Sequence, residues 1–310
     1  MKKKIFIDGK AGTTGLRIEE RLSGRDDVEI IALPEELRKD TEARRKIINE
    51  SDVVFLCLPD DAAIEAVSLI ENENVTVIDA STAHRTNPEW AYGFPELSPE
   101  FEEKIRNSKR IAVPGCHASG FIALIYPLIR SGILQKDALL TVNSLTGYSG
   151  GGKRMIADYN SDERCSLLDA PRQYALTQAH KHLPEMTAIT GLENAPVFSP
   201  IVADFYSGME VTVPLFQKQL AYGGIEEIRE IYKKHYNSDL ICYKESADES
   251  GFLSSGAKSG KDSMQIEVYG NNDRMILVAR YDNLGKGASG AAIECLNIIL
   301  GCEKTKTLEV

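Results

Sequence analysis

The sequence predicts an α/β fold, a doubly wound parallel sheet, joined to a second domain of α+β type. Over the first 115 residues, short apolar strands alternate with amphipathic helices, as is typical of a parallel sheet covered on both faces. From about residue 138 the predicted strands and the loops between them are longer, which indicates a mostly antiparallel sheet. A length of 310 residues suits two domains of ordinary size.

In the first region, β-branched and aromatic runs predict strands, and apolar residues at helical spacing predict helices. The predicted strands cover residues 4–8, 28–33, 52–58 and 75–79, and the predicted helices cover 14–22, 41–49 and 62–70. A further helix is predicted to follow the break at Pro114 and Gly115 and to contain the apolar segment 121–133. In the second region, strands are predicted over 139–146, 210–215, 264–269 and 275–281, and helices over 225–235 and 288–300.

Composition excludes several classes of protein. Lys and Arg number 36 against 46 Asp and Glu, a net charge of −10, which argues against a nucleic-acid partner because phosphates need a positive surface. The longest apolar stretch, residues 121–129, is about half the ~18 residues of a membrane span. No export signal or CxxC pair is present, and His and Cys lack zinc-finger spacing. We therefore expect a cytoplasmic protein with free thiols, no metal and no membrane partner.

A glycine-rich turn follows the first predicted strand. Gly9, Gly12 and Gly15 form a GxxGxxG pattern that opens a helix. Glycines let the backbone approach a pyrophosphate, whose charge then lies at the amides of the helix N-terminus. The spacing departs from GxGxxG and also suits a plain turn, but the strand-turn-helix context favours a dinucleotide site.

The second strand indicates which dinucleotide binds. An NAD site usually has an acidic residue at the end of this strand, but here the strand ends in residues 30–34, which contain no carboxylate, and the next one is Glu35. The missing carboxylate permits a 2′-phosphate, so NADP is favoured. Arg17, Arg38 and Lys39 are the candidate partners of that phosphate, and the sequence does not select among them.

Cys116 is the candidate nucleophile. Pro114 and Gly115 precede it and an apolar segment follows, so it is expected at a helix N-terminus, where the dipole stabilises a thiolate. A thiolate is suited to attack an acyl carbon. The alternative, a small buried hydrophobe, is the interpretation for the other five cysteines.

A thiolate nucleophile needs a proton-transfer partner. His180 and His182 are the candidates, and surface positions are the alternative for each. If the segment is extended, residues two apart point to opposite faces, so we expect only one of them to face the sulfur. His117 adjoins the cysteine, but its side chain is expected to diverge.

Together the motifs resemble the N-acetyl-γ-glutamyl-phosphate reductase family, closest to its shorter form, within the aspartate-semialdehyde dehydrogenase superfamily. They occur in the family's order along nearly the whole chain. They are the glycine turn, Ser-Thr-Ala-His-Arg at 81–85, Pro-Gly-Cys at 114–116, Gly-Tyr-Ser-Gly-Gly-Gly-Lys at 147–153, His-Lys-His-Leu-Pro-Glu at 180–185 and Asn-Leu-Gly-Lys-Gly-Ala at 283–288.

The resemblance implies NADPH-dependent reductive dephosphorylation of N-acetyl-L-glutamyl 5-phosphate to the 5-semialdehyde, in arginine biosynthesis. Cys116 would form a thioester, His180 would be the acid/base group, and Glu185 would orient a histidine. The implied cofactor-binding residues are Gly9, Gly12, Thr13, Thr14, Gly15, Ser81, Asn283 and Gly287. The implied substrate-binding residues are Arg85, Ser149, Lys153, His182 and Glu185, with Arg154 as a further cation; surface salt bridges are the alternative for the basic ones.

The resemblance also implies the domain arrangement. A Rossmann-like NADP-binding domain would comprise residues 1–116 and 285–310, with the α+β substrate and oligomerisation domain, 117–284, inserted into it. A homodimer or homotetramer is expected.

Three other functions compete. The nearest is an aspartate-semialdehyde or related acyl-phosphate dehydrogenase, against which the segment 180–185 argues. A cofactor-free cysteine hydrolase or acyltransferase conflicts with the glycine turn, and a non-catalytic regulator conflicts with Cys116.

Overall fold

A computed structural model describes residues 2–310, which divide into two compact units. The first unit runs up to Pro114 and takes in Ala288–Leu308; the second comprises Gly115–Gly287 and Glu309–Val310. The strands are β1 (Lys3–Asp8), β2 (Val28–Ile31), β3 (Val53–Leu56), β4 (Thr76–Asp79), β5 (Ala91–Tyr92), β6 (Arg110–Ala112), β7 (Thr141–Gly147), β8 (Arg172–Gln173), β9 (Val197–Ala203), β10 (Met209–Phe216), β11 (Ile241–Tyr243), β12 (Met264–Gly270) and β13 (Arg274–Tyr281). The helices are α1 (Thr13–Leu22), α2 (Thr41–Glu50), α3 (Asp60–Ser68), α4 (Pro99–Asn107), α5 (Cys116–Ser131), α6 (Gly152–Asn160), α7 (Leu183–Thr190), α8 (Ile225–His235) and α9 (Gly290–Leu300).

The first unit is a six-stranded sheet in the order β2-β1-β3-β4-β6-β5, and every pair in it is parallel. Alternate residues of its strands enter two separate cores. On one face Ile5 and Phe55 pack with α1 and α9, and on the other Phe6 and Val54 pack with α2 and α3. This confirms the doubly wound parallel sheet, since strands buried on both faces read as continuous apolar runs.

The second unit is a seven-stranded mixed sheet in the order β11-β12-β13-β10-β7-β9-β8. Four of its pairs are antiparallel and two, β11 with β12 and β7 with β9, are parallel. The prediction of a mostly antiparallel α+β domain is confirmed. The sequence did not predict β8, β9, β11, α6 or α7, and in the first unit it missed α4, β5 and β6.

Helix α5 is the central helix of the second unit and packs against β10, β13, α7 and α8. It begins at Cys116, directly after Pro114 and Gly115, as the sequence predicts. Pro127 lies inside it and cannot donate to the carbonyl of Ala123, a loss that usually costs about 3 kcal/mol. The Tyr236 hydroxyl donates to that carbonyl instead, at 2.8 Å. A side chain of the second unit thus restores the hydrogen bond that the proline removes.

Within residues 2–310, no helix combines the length and apolar character needed to cross a membrane.

Candidate active site

Cys116 is the first residue of α5, with Gly115 as its N-cap, so the predicted position at a helix start is confirmed. The thiol is partly exposed. The Glu185 carboxylate accepts a hydrogen bond from the Gly115 amide at 3.1 Å, and this contact ties the α7 start to the residue before the nucleophile. Cys57 differs, because burial, with the nearby carboxylates of Asp79 and Asp8, raises the pKa of its thiol to about 12.

The first turn of α5 is bridged by a side chain. The Tyr281 hydroxyl donates to the Cys116 carbonyl and accepts from the Gly120 amide. These two backbone groups would ordinarily bond to each other as residues i and i+4 of a helix. Gly120 is required here, since a Cβ would stand 2.7 Å from the Tyr281 hydroxyl oxygen.

Gly287 lies against Cys116 within a π-helical turn, Gly285–Ser289, of the kind often found at functional sites. Asp282 is wholly buried and holds this turn, as its carboxylate accepts from the amides of Leu284 and Gly285. Asn283 is also buried. Its side-chain amide donates to Ser149 Oγ at 3.0 Å and its carbonyl oxygen accepts from the Gly208 amide. Asn283, expected at the cofactor, and Ser149, expected at the substrate, therefore bind each other.

The expectation that His180 and His182 face opposite ways is wrong. The segment turns rather than extending: the Leu183 amide donates to the His180 carbonyl, and His182 has the helical angles φ −87 and ψ −12. The two ring centroids are 4.7 Å apart. The His182 amide donates to His180 Nδ1 at 3.1 Å. Opposite faces apply only to an extended strand, so both rings enter one cluster.

His117 completes this cluster. Its ring centroid is 5.8 Å from that of His180 and 5.6 Å from that of His182. Its Nδ1 lies 2.6 Å from Ser144 Oγ, and its Nε2 lies 2.6 Å from the Tyr174 hydroxyl. Burial, together with the charge of His180, lowers the pKa of His117 to about 3. The imidazole is therefore neutral at physiological pH.

Sequence reasoning missed Ser144 and Tyr174. They are separated from each other and from His117 along the chain, and no local motif marks them. The sequence offers a hint only for Tyr174, which lies six residues before His180 in the segment that carries the histidines. Ser144 has the pattern of an ordinary inward-facing strand residue.

The predicted substrate cations have two different environments. Lys153 and Arg154 are exposed at the start of α6. Arg85 is buried in the first unit, where its guanidinium donates to the carbonyls of Val113 and Ala80. Those contacts give Arg85 a part in holding the chain near the ends of β4 and β6.

The glycine-rich turn is a tight backbone cradle. Gly9 has φ +83, and a Cβ on it would stand 2.3 Å from the Cys57 carbonyl oxygen. A Cβ on Gly15 would stand 2.6 Å from the Lys10 Cα. Gly12 is the N-cap of α1, and Thr13 and Thr14 form its first turn. Side chains are excluded at these glycines, which fits a site where backbone amides approach a pyrophosphate.

A cavity of about 150 Å³ adjoins this turn. Apolar side chains of β1 and β2 line it together with Leu33, Leu58, Gly9 and Arg38. Of the three candidate partners of a 2′-phosphate, Arg38 lines the cavity and Arg17 and Lys39 do not. Arg38 pairs with Glu35 at 3.2 Å on the surface. An apolar slot with a cation beside it fits an adenosine carrying a 2′-phosphate.

The buried pair Asp8 and Arg44 lies at the carboxyl end of β1. Arg44 donates from Nε and Nη2 to Asp8 Oδ2 at 3.2 and 2.9 Å. Burial raises the pKa of Asp8, and Arg44 opposes that shift. Asp8 also lines the cavity.

The loop after β4 is fixed by carboxylates. Asp79 is wholly buried and accepts from the Ser81 amide and hydroxyl at 2.8 and 2.7 Å. His84 Nδ1 lies 2.6 Å from the same carboxylate, and the His84 ring stacks on Trp90 with centroids 3.9 Å apart. Ser81, expected at the cofactor, is therefore held in one orientation. Among residues 2–310, no group of three or more His, Cys, Asp or Glu is arranged to hold a metal ion.

Two family models match the chain. "Semialdehyde dehydrogenase, NAD binding domain" covers residues 4–105, and "Semialdehyde dehydrogenase, dimerisation domain" covers residues 116–283. Among solved structures, aspartate semialdehyde dehydrogenase II from Vibrio cholerae, complexed with ASA, matches at a TM-score of 0.75 with 16% identity, over 97% of this chain and 99% of that chain. The Candida albicans aspartate semialdehyde dehydrogenase with NADP matches at a TM-score of 0.66 with 15% identity, over 97% and 99%. At these identities the likeness shows the fold.

Curated relatives are much more similar. The N-acetyl-gamma-glutamyl-phosphate reductase of Sinorhizobium medicae is 46% identical over 97% of this chain and 99% of its own length. N-acetyl-gamma-glutamyl-phosphate reductase 2 of a Nostoc species is 44% identical over 97% of each. The chain therefore belongs to the N-acetyl-gamma-glutamyl-phosphate reductase family, an enzyme family with the semialdehyde dehydrogenase fold and an NAD(P)-binding domain.

Proposed function

We propose that the protein is an N-acetyl-γ-glutamyl-phosphate reductase of arginine biosynthesis, acting with NADPH in the cytoplasm. One observation carries the proposal beyond family membership. Cys116 begins a buried helix, and the helix's next residue lies against His180 and His182. A helix N-terminus favours the thiolate, and the histidines offer acid/base groups beside it. A thiolate with an acid/base group beside it is suited to acyl transfer through a thioester.

The proposed first step is attack of the Cys116 thiolate on the acyl carbon of the acyl phosphate. A carbon–sulfur bond forms, the carbon–oxygen bond to phosphate breaks, and inorganic phosphate leaves. When bound, NADPH supplies the hydride that reduces the resulting thioester carbon. The carbon–sulfur bond then breaks, giving the semialdehyde, and the sulfur of Cys116 takes back its proton from the acid/base group to restore the thiol.

His180 is the proposed acid/base group, which takes the thiol proton before attack and protonates the departing sulfur. His182 and Glu185 are proposed to bind and orient the substrate. Glu185 is 1% exposed and receives the Gly115 amide, so its carboxylate also fixes the backbone next to the nucleophile. Since the two histidine rings are neighbours, a charge on one disfavours a charge on the other.

We assign nucleotide binding to the Rossmann-like domain, residues 1–116 and 285–310. The excluded side chains at Gly9 and Gly15 and the cavity beside Arg38 support this, and NADP is the proposed cofactor. The other proposed cofactor-binding residues are Gly12, Thr13, Thr14, Ser81, Asn283 and Gly287. Residues 117–284 are the proposed substrate and oligomerisation domain. Ser149 and Lys153 of this domain, and Arg85 of the nucleotide-binding domain, are proposed to serve the anionic substrate.

The matched dimerisation domain indicates a homo-oligomer, and we propose a homodimer or homotetramer. The sheet of the second unit has one face covered by α5 and α8. Its opposite face displays Val197, Phe216 and Ile276, which are 55%, 61% and 38% exposed. Large exposed apolar side chains on this face suit burial against a second copy. Sedimentation of the wild type and of Phe216→Glu tests this; a monomeric wild type contradicts it.

The central test is the reverse reaction, assayed with N-acetylglutamate semialdehyde and aspartate semialdehyde side by side, with NADP and phosphate. We expect activity on the acetylated substrate. Preference for aspartate semialdehyde would favour the competing dehydrogenase. Cys116→Ser should abolish phosphate-dependent oxidation while nucleotide binding, measured by calorimetry, is retained. Retained oxidation in that variant would exclude the thioester route.

A further inference from the structure

We propose that Tyr174 is a further catalytic residue, whose hydroxyl donates a hydrogen bond to the acyl oxygen of the substrate, and that His117 and Ser144 orient this hydroxyl. The inference rests on the proposed function for the identity of the substrate. It assigns roles to three residues that the mechanism above does not use.

The three side chains form an unbranched chain of hydrogen bonds. Ser144 Oγ lies 2.6 Å from His117 Nδ1, and His117 Nε2 lies 2.6 Å from the Tyr174 hydroxyl. Ser144 is wholly buried and His117 is 3% exposed, whereas Tyr174 is only partly buried. The chain therefore leads from the interior of the second unit toward the accessible end at Tyr174.

Counting protons fixes the direction of these bonds. Neutral imidazole has one N–H, so the three groups together carry three protons for two hydrogen bonds, and one proton is left over. If His117 Nδ1 donates to Ser144, the serine proton is the one left over. The structure gives Ser144 Oγ no acceptor within residues 2–310 other than that ring nitrogen, and a buried donor without an acceptor is costly.

The opposite direction of the two hydrogen bonds leaves no buried donor without an acceptor. Ser144 donates to Nδ1, Nε2–H donates to the Tyr174 oxygen, and the tyrosine proton remains available at the accessible end. Burial lowers the pKa of His117 to about 3, so the ring holds a single proton at working pH. The proton count therefore applies at pH values well above 3.

Tyr174 lies where such a donor is useful. Burial raises the pKa of its hydroxyl, and the negative charge of Cys116 raises it further. The tyrosine thus stays protonated, and its hydroxyl is bonded to His117, the residue that directly follows Cys116 in α5. The acyl oxygen gains negative charge when the thiolate attacks, and a fixed donor then stabilises the transition state more than the ground state.

The first test compares Tyr174→Phe with Tyr222→Phe in the full-length protein. Tyr222 is half exposed and its hydroxyl donates to the Ser131 carbonyl, so this control removes a hydroxyl outside the cluster. Loss of one oxyanion donor typically lowers kcat by about 100-fold or more. We expect a loss of at least about 10-fold in Tyr174→Phe, with the KM of the acyl phosphate, NADPH affinity and Cys116 alkylation changed by less than about 3-fold. A kcat within about 2-fold of the wild type would overturn the proposal.

The second test determines which ring nitrogen of His117 carries the proton. Nitrogen-15 chemical shifts of His117 distinguish the two tautomers, and we expect protonation at Nε2. An Nδ1–H tautomer overturns the inference. Ser144→Ala should permit the other tautomer and lower kcat, whereas Ser144→Thr, which keeps the hydroxyl, should restore both the Nε2–H tautomer and most of the rate.

The two proposals fail in different ways. If the wild-type protein does not act on N-acetylglutamate semialdehyde, the proposed substrate is wrong, yet the His117 tautomer remains measurable. If the wild type acts on that substrate and Tyr174→Phe matches it, only the role of Tyr174 is wrong.

Discussion

The backbone of Gly287 packs so closely against Cys116 that no side chain fits between them. A Cβ placed on Gly287 would stand 3.0 Å from the Cys116 Cβ and 3.1 Å from the Asp282 carbonyl oxygen. Real Cβ atoms rarely approach other atoms this closely, and both neighbours are backbone or near-backbone atoms. The absence of a side chain at Gly287 therefore helps to set the position of the proposed nucleophile.

We accordingly expect Gly287→Ala to reduce turnover by at least about 10-fold. A displaced nucleophile raises the activation free energy, and an increase of about 1 kcal/mol already slows the reaction several-fold. Gly256→Ala is the matched control, because the nearest atom to its Cβ would be Ser254 Oγ at 3.7 Å. Steady-state assays and thermal melts of both variants check this. Full activity in Gly287→Ala would show that the turn yields without moving Cys116.

Substitution can distinguish the roles of the neighbouring residues His180 and His182. We expect His180→Asn to lower turnover far more than His182→Asn, because His180 is the proposed acid/base group. The pH dependence of kcat should lose its ascending limb in the former and keep it in the latter. The opposite ranking would assign proton transfer to His182.

NADP preference should depend on Arg38. Since Arg38 lines the cavity beside the glycine turn and Lys39 does not, Arg38→Ala should weaken NADP binding by about 10-fold or more while leaving NAD binding unchanged. Glu35→Gln, which removes the carboxylate paired with Arg38, should strengthen NADP binding. Calorimetric titration with both nucleotides measures these changes. An equal effect of Lys39→Ala would contradict the selection of Arg38.

The neutral His117 makes folding stability depend on pH. Its pKa is about 3 in the folded protein and about 6.5 in an unfolded chain, so the unfolded state binds more protons between these values. The stabilisation that the neutral His117 gives the folded state is complete above about pH 6.5 and is lost as the pH falls toward 3. From pH 7 to 4.5 the loss in the free energy of unfolding amounts to about 2 to 3 kcal/mol.

Urea unfolding of the wild type and of His117→Gln at both pH values isolates this contribution. The wild type should lose about 2 to 3 kcal/mol more than the variant over that interval. Identical pH dependence in the two proteins would show that folding does not lower the pKa of His117.

The fold was predictable where sequence patterns are local. Strands β1, β3 and β4 are apolar runs buried on both faces, and α8 was predicted with its bounds as observed. Strand β9 was missed because Pro200 interrupts its run, and α7 was missed because Pro184 obscures its start, although proline is well accommodated in a first helical turn.

The candidate site was predictable only in part. Cys116 was found from Pro114 and Gly115, which mark the helix start. Ser144 and Tyr174 have no neighbouring motif, since they meet His117 through pairing of distant strands. The two histidines were misplaced because a turn, which local spacing does not reveal, replaces the extended backbone that was assumed.

The Tyr281 bridge makes α5 depend on the sheet. The hydroxyl stands between the Cys116 carbonyl and the Gly120 amide, so the helix's opening turn is closed by a residue of β13 rather than by itself. The same strand carries Ile276, whose side chain is 38% exposed. Because one hydroxyl of β13 holds both backbone groups, a change in the tilt of this strand is expected to move the residue that carries the sulfur.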